Sequence, residues 1–311
     1  MHDTLFELTE DHLLEGPRSI PMGYVGTSHV DREQGLMYFG EPVELFSEES
    51  VDQLVERFLG HIPSHVLKEE TKVLIDRVDR HLDPLEQLHQ AMEILSVEEF
   101  KETFQEQLEV VLGSMKEVSE ILFGPLPIDP LFHALHMDEG GGSPPAFTAK
   151  VLASNGCNAY KAVQGALLAF SAPRVGYEME NALKFLQQVD LDEMKGDEVF
   201  YGYNLYPFVK IDTRAALFER ALAERFMDEP LFQKALLLKQ KLGEKGWGIP
   251  NSHAFSGLYL FYRGFEEVRL YSVVLFLARI VGVGAQLFES DQKKGLEIHP
   301  YYFYRKKEEG V

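Results

Sequence analysis

Residues 249–288 read IPNSHAFSG (Ile249–Gly257), LYLFYRGFEEVRL (Leu258–Leu270) and YSVVLFLARIVGVGAQLF (Tyr271–Phe288). A Pro-Asn-Ser turn opens the stretch, and the longest apolar run of the chain closes it, with one cation, Arg279, set inside. An isolated charge buried in hydrocarbon is very costly, so Arg279 must be paired or must bind something. The length of Tyr271–Phe288 raises a membrane question, but so short a run with an arginine near its middle reads better as a buried core helix.

Upstream of this stretch the apolar period is mostly helical. The exception is Gly23–Gly40, where YVGTSHV and LMYF are half-apolar runs joined by DREQG, a hairpin pattern. Ser47 is placed to cap VDQLVERFLG, which stops at Gly60, and Ser64 to cap HVLKEETKVLIDRVDRHL with Val66, Leu67, Val73, Leu74 and Val78 inward. Asp83-Pro84 opens PLEQLHQAMEIL, and Ser96 with Glu99 forms a capping-box pattern before a long helix towards Phe123. Pro130 starts LFHALHMD, and EGGGSPP forces a loop. Phe147–Ala153 and Ala159–Phe170 read as two apolar helices, close enough through AVQGALLA to form the central core. Further helices are expected over Glu178–Val189, then over Thr213–Met227 and Pro230–Leu242 as an antiparallel pair. The fold expected is all-α with a small N-terminal hairpin.

The 311 residues carry 50 acidic and 30 basic side chains, a net charge of −20. That balance argues against non-specific binding to nucleic acid or to an anionic membrane, which needs a dense Lys/Arg surface. The single cysteine, Cys157, excludes an intrachain disulfide. MHDTLFELTEDHLLEG is acidic and lacks the cationic start and apolar core of a signal peptide, so a cytoplasmic location is expected.

The order of these signals resembles the citrate synthase family. SEESVDQLVERFLG, PLEQLHQAMEIL, FTAKVLASNGCNAYKAVQGALLAFSAP, GYNLYPFVKIDTRA, PNSHAFSG and LARIVGVGAQLFE occur in the family's order along nearly the whole chain. Each is degenerate alone, and together they are specific. The resemblance implies a large helical domain (1–175 and 265–311), a small domain (176–264) that closes over it, and a dimer. It also implies condensation of an acyl-CoA with a 2-oxoacid. In that chemistry a carboxylate removes the acyl proton, one histidine stabilises the enol, another polarises the keto group, and arginines clamp carboxylates.

Residue by residue, the catalytic set departs from that pattern. Val175, in SAPRVGYEMEN, stands where the enol-stabilising histidine belongs, and Leu205, in GYNLYPFVKIDTR, where the carbonyl-polarising histidine belongs. His253, in PNSHAFSG, replaces the basic aspartate, although Pro250, Asn251, Ser256 and Gly257 match the turn. Arg214 and Arg279 match the carboxylate-binding arginines, and His299, before Pro300, falls at the position of an arginine given across the dimer. Gly202, Asn204 and Lys210 lie in a loop that touches coenzyme A in the family. In HMDEGGGSPPAF, His136 and Asp138 are in register with a His-x-Asp-His segment, and Glu139 or Gly140 falls where its last histidine binds the oxoacid. His133 and His136, three apart, have a spacing that suits a metal, but the resemblance accounts for His136 without one, and no metal site or cofactor is expected.

Two readings follow. Hydrocarbon at Val175 and Leu205 removes the oxyanion and carbonyl donors, so the first is a non-catalytic homologue, a homodimeric scaffold or a regulatory subunit paired with an intact paralogue. The second is a remodelled acyl-CoA enzyme using His253, as a base titrating near neutrality, with Arg214 and Arg279, and a small carboxylate and a CoA thioester as ligands. The arginines discriminate. Unpaired, they predict a carboxylate ligand; paired with internal acids such as Asp212 or Glu289, they are structural.

Overall fold

The computed structural model describes residues 6–15, 20–31, 33–204, 212–292 and 297–300. A short helix, α1 (Glu10–Glu15), precedes an antiparallel sheet of β1 (Ser28–Asp31), β2 (Gly35–Tyr38) and the two-residue β3 (Glu41–Pro42). The β1–β2 register pairs Ser28 with Tyr38 and Asp31 with Gly35, and Asp31 Oδ1 closes the hairpin by accepting from Glu33 and Gln34 N–H. The described remainder is helical: α2 (Val51–Leu59), α3 (Glu69–Asp76), α4 (Pro84–Glu98), α5 (Phe104–Phe123), α6 (Pro130–His136), α7 (Pro144–Ser154), α8 (Ala159–Phe170), α9 (Glu178–Gln188), α10 (Thr213–Phe226), α11 (Pro230–Lys245), α12 (His253–Tyr262) and α13 (Tyr271–Gln292). Two 3-10 turns, Val43–Phe46 and Val268–Leu270, introduce α2 and α13.

The chain is thus all-α with a small N-terminal hairpin. Helix α13 is its axis, packing on α2, α5, α6, α7 and α8. The segment Val268–Ser290 is long and apolar enough to cross a membrane, yet 89% of its apolar window is buried inside the protein, as in a core helix. Helices α7 and α8 form a tight hairpin on α13, as their small residues predict.

Helix starts set by local chemistry fall where the sequence places them. Asp83 caps α4 through Leu85 N–H, with Pro84 in its first turn, and Asp129 caps α6 through Phe132 N–H. Three expectations require correction. Ser50, not Ser47, caps α2, in a capping box with Gln53. Residues 61–68 are not helical, so α3 starts at Glu69 and leaves Val66 77% and Val73 49% exposed. The amides of Ser64, Leu67 and Lys68 donate instead to the carboxylates of Glu109, Glu117 and Glu99, which replace a helix ladder. The expected Ser96–Glu99 box also fails, because α4 runs through Ser96 to Glu98. Thr103 and Glu106 form the box that starts α5, and Glu99 is buried, accepting from Thr71 Oγ1 at 2.6 Å. Helices α10 and α11 are bridged by Lys239 Nζ donating to Glu219 Oε2 at 2.6 Å, while α10 also packs on α12, and α11 on α9 and α12.

Candidate functional site

The turn after α6 is where four elements meet. Asp138 is fully buried, and its carboxylate accepts from Ser28 Oγ at 2.6 Å, from Gln286 Nε2 at 2.9 Å and from its neighbour's amide, Glu139 N–H, at 2.8 Å. Burial pushes its carboxyl above the ordinary value, with those bonds opposing. Tyr38 Oη donates to Ala134 O at 2.9 Å and accepts from Asp138 N–H at 3.2 Å. On the α13 side, Gly282 N–H donates to Met137 O at 3.2 Å, and a Cβ at Gly282 would stand 2.3 Å from that oxygen. No larger residue lets the helix come this close. The hairpin and α13 together fix the direction in which Glu139 leaves the chain.

Glu139 reaches both arginines. Its Oε1 accepts from Arg214 NH1 at 2.7 Å, and its Oε2 accepts from Arg279 NH1 at 2.8 Å. Arg214 spends Nε and NH2 on Asp212 Oδ1 and Oδ2, each at 2.9 Å, a bidentate fork. Arg279 Nε donates to His136 O at 2.8 Å. Asp212 also caps α10 through Arg214 N–H and accepts from Ser252 N–H at 2.9 Å. Among the described residues, two guanidinium charges therefore meet two carboxylates. The arginine side chains are 2% exposed, whereas that of Glu139 is 23% exposed, so the cluster is open to solvent from the Glu139 side. Burial opposes charge on Glu139, but Arg279 and Arg214 outweigh it and hold the carboxyl well below the usual range. Burial likewise opposes charge on Arg214, and Asp212 and Glu139 outweigh it.

Of the internal acids considered from the sequence, Asp212 pairs with Arg214, and Glu289 accepts from Gly26 N–H at 3.0 and 3.2 Å. The acid that takes both arginines is Glu139, one of the two residues, with Gly140, that the resemblance places at an oxoacid-binding histidine. The substitution was visible in the sequence, but nothing local signals its two partners, 75 and 140 residues away.

The PNSHAFSG turn is held by a second buried network. Glu178 Oε1 accepts from Gly202 N–H at 3.1 Å and from Asn251 Nδ2 at 3.0 Å. Asn251 N–H donates to Gly202 O at 2.8 Å, its Nδ2 reaches Asn204 O at 3.0 Å, and its Oδ1 accepts from His253 N–H at 2.9 Å. Gly202 has φ +81°, and a Cβ there would lie 2.8 Å from the Ala254 backbone. Glu178 went unrecognised in the sequence, where it is one more acid in the first turn of a helix.

His253 begins α12 and stacks on His136, with centroids 5.4 Å apart and planes 6° from parallel. His136 in turn stacks on Phe218 and lies against Phe132. Burial pushes the His136 pKa well below the histidine value, with His253 and the two arginines adding to it. Burial also lowers His253, against partial opposition from Glu178 and Glu139. Both imidazoles are neutral at pH 7. Desolvation weakens the basicity of His253, which bears against a base titrating near neutrality. Among the described residues, no hydrogen-bond partner meets the buried ring nitrogens of His136 or Nδ1 of His253.

Val175 is half-buried against the core, its amide donating to Ala172 O, and it brings no polar atom to the turn. Leu205 and Lys210 lie outside the described residues. His299 is exposed, beside Ile298, whose amide donates to Ser154 Oγ. His133 Nδ1 contacts Asp129 O, and among the described residues no group of three or more His, Cys, Asp or Glu is placed to hold a metal.

Comparison with known proteins agrees with this architecture. Residues 130–300, more than half of the chain, match the family model described as citrate synthase, C-terminal domain. Mitochondrial citrate synthase of Citrus maxima is 26% identical over 192 residues, 54% of this chain and 40% of that protein. The enzyme of Kajikia audax is 24% identical over 182 residues, 50% of this chain and 38% of that protein. The chain thus aligns to about two fifths of these relatives' length. Citrate synthase of the archaeon Thermoplasma acidophilum, in a ternary complex with carboxymethyl coenzyme A and oxaloacetate, superposes with a TM-score of 0.78. That match has 18% identity and covers 96% of this chain and 97% of that one. The Thermotoga maritima citrate synthase gives 0.79 at the same identity and coverage. By fold and by the match over residues 130–300, the chain belongs to the citrate synthase family.

Proposed function

We propose that this chain is a non-catalytic member of its family, a cytoplasmic scaffold or regulatory subunit that acts as a homodimer or beside an intact paralogue. The observation that carries the reading is the Glu139 carboxylate bonded to both Arg214 and Arg279. The carboxylate-binding pair is charge-balanced by the chain itself, so an incoming oxoacid must displace a resident acid. The reacting positions add nothing to offset that cost. Val175 supplies hydrocarbon in place of an oxyanion donor, a loss of roughly 10²–10³-fold, and a neutral, desolvated His253 replaces a carboxylate base, roughly 10²–10⁴-fold. Such losses do not multiply cleanly, but either one suppresses turnover.

The alternative, a remodelled acyl-CoA enzyme, draws on the unpartnered Nδ1 of His253 beside the arginines. A thiol-release assay with acetyl-CoA and oxaloacetate, pyruvate or 2-oxoglutarate separates the two. Release at the protein-free rate is expected, and turnover that disappears in His253→Ala would establish the alternative. Co-purification from the native cell, read with sedimentation of the isolated chain, then distinguishes a homodimer from a paralogue complex.

A further inference from the structure

Glu139 does more than neutralise two cations. Its carboxylate spans them, one oxygen to each guanidinium, in the arrangement a small carboxylate ligand would adopt. The other contacts of the arginines do not depend on it: Arg214 keeps its fork to Asp212, and Arg279 keeps its bond to His136 O. The turn that carries Glu139 is likewise anchored without it, through Asp138 to Ser28 and Gln286. Removing the Glu139 side chain beyond Cβ would therefore leave a preformed pocket facing two buried, oriented guanidinium groups. The side chain's 23% exposure marks a route to that pocket from solvent.

We infer that the Arg214–Arg279 pair is a working carboxylate site whose resident ligand is the chain's own Glu139, and that, once vacated, it takes a monocarboxylate of acetate size. The size follows from composition, because the atoms lost in Glu139→Ala are one carbon and a carboxylate, those of acetate. The inference rests on the reading of the site as self-filled and extends it: Glu139 acts as a tethered competitor. Its tether supplies an effective concentration far above that of free ligand, so the native chain should not respond to acetate at ordinary concentrations.

Thermal unfolding of the full chain tests this in matched sodium acetate and sodium chloride. Glu139→Ala should melt about 10 °C below the native chain in chloride, as expected for one buried ionic partner removed. About 100 mM acetate should recover half or more of that loss, on the scale of ligand linkage for a millimolar site. Glu139→Gln keeps the pocket filled, so it should melt low in both salts, and adding Arg279→Met to Glu139→Ala should abolish the acetate effect. Equal melting of Glu139→Ala in the two salts would overturn the inference. So would an acetate gain of the same size in Glu139→Gln, or failure of Glu139→Ala to fold in either salt. None of these outcomes touches the non-catalytic reading, which the thiol-release assay on the native chain decides.

Discussion

Replacing Asp212 by asparagine tests whether the arginine cluster is held by charge or by shape. Asp212 is 1% exposed and accepts from Arg214 Nε and NH2, from Arg214 N–H and from Ser252 N–H. Asparagine keeps the volume and one acceptor oxygen. Its amide nitrogen must then face either Arg214 Nε and its amide, or Arg214 NH2 and Ser252 N–H, donor against donor. Breaking one side of a buried ion pair costs about 3–5 kcal/mol. The surviving acceptor and the remaining Glu139 contact place this case near the lower end, at about 3 kcal/mol. Urea unfolding with an unchanged m-value is the assay, run as a double-mutant cycle with Arg214→Met. If the pair carries the effect, Asp212→Asn in the Arg214→Met background costs about 1 kcal/mol, leaving a coupling near 2 kcal/mol. An Asp212→Asn loss below about 1 kcal/mol, or additive single and double variants, would refute the argument.

Acid should weaken the fold through the two stacked histidines. Their folded pKa values lie below the unfolded one, so their contribution is complete above about pH 6.5 and declines as pH falls from there towards the folded values, at about 1.4 kcal/mol per pH unit for each. His136→Phe, which can keep the stacking on Phe132 and Phe218, should flatten the profile between pH 6.5 and 5 by up to one proton. An unchanged slope in urea titrations would count against it. Gly202→Ala places a Cβ at φ +81° and 2.8 Å from the Ala254 backbone, and should cost at least about 2 kcal/mol by chemical denaturation. Gly282→Ala must push α13 away from Met137 O, and should lower the melting temperature and loosen the Glu139–Arg279 contact. Wild-type hydrogen-exchange protection across 135–142 in that variant would contradict the packing described.

The parts of this fold legible in the sequence are those fixed within a few residues. Pro84 and Pro130 with their preceding aspartates start α4 and α6, and Gly60 ends α2 at φ +79°. The buried α13 follows from its apolar length and its single arginine. What the sequence hid depends on distant partners. Ser64 looks like a helix cap, yet residues 61–68 stay non-helical because carboxylates from α5 and from Glu99, 31–50 residues on, take up their amides. Arg279 announces that it needs a partner, and Asp212 is near Arg214 in sequence. The acid that joins the two arginines comes from a third element, and although the HMDEGGG register draws notice to Glu139, no local pattern announces its two partners.

On the proposed non-catalytic reading, the location of Glu139 accounts for a fold that loses its chemistry and keeps its frame. Two buried arginines without an anion would be destabilising, since an unpaired buried charge costs several kcal/mol. In a chain that no longer holds an oxoacid, they must be neutralised, replaced or hydrated. A carboxylate side chain between the two guanidinium groups meets that need with one residue, one oxygen to each. The same residue would then oppose a gain of that chemistry: an aspartate in place of His253 would add a carboxylate to a region that already holds Glu139, Asp212 and Glu178, without vacating the arginines. On the proposed non-catalytic reading, loss of catalysis and filling of the site support each other, and Glu139 is the residue at which they can be separated.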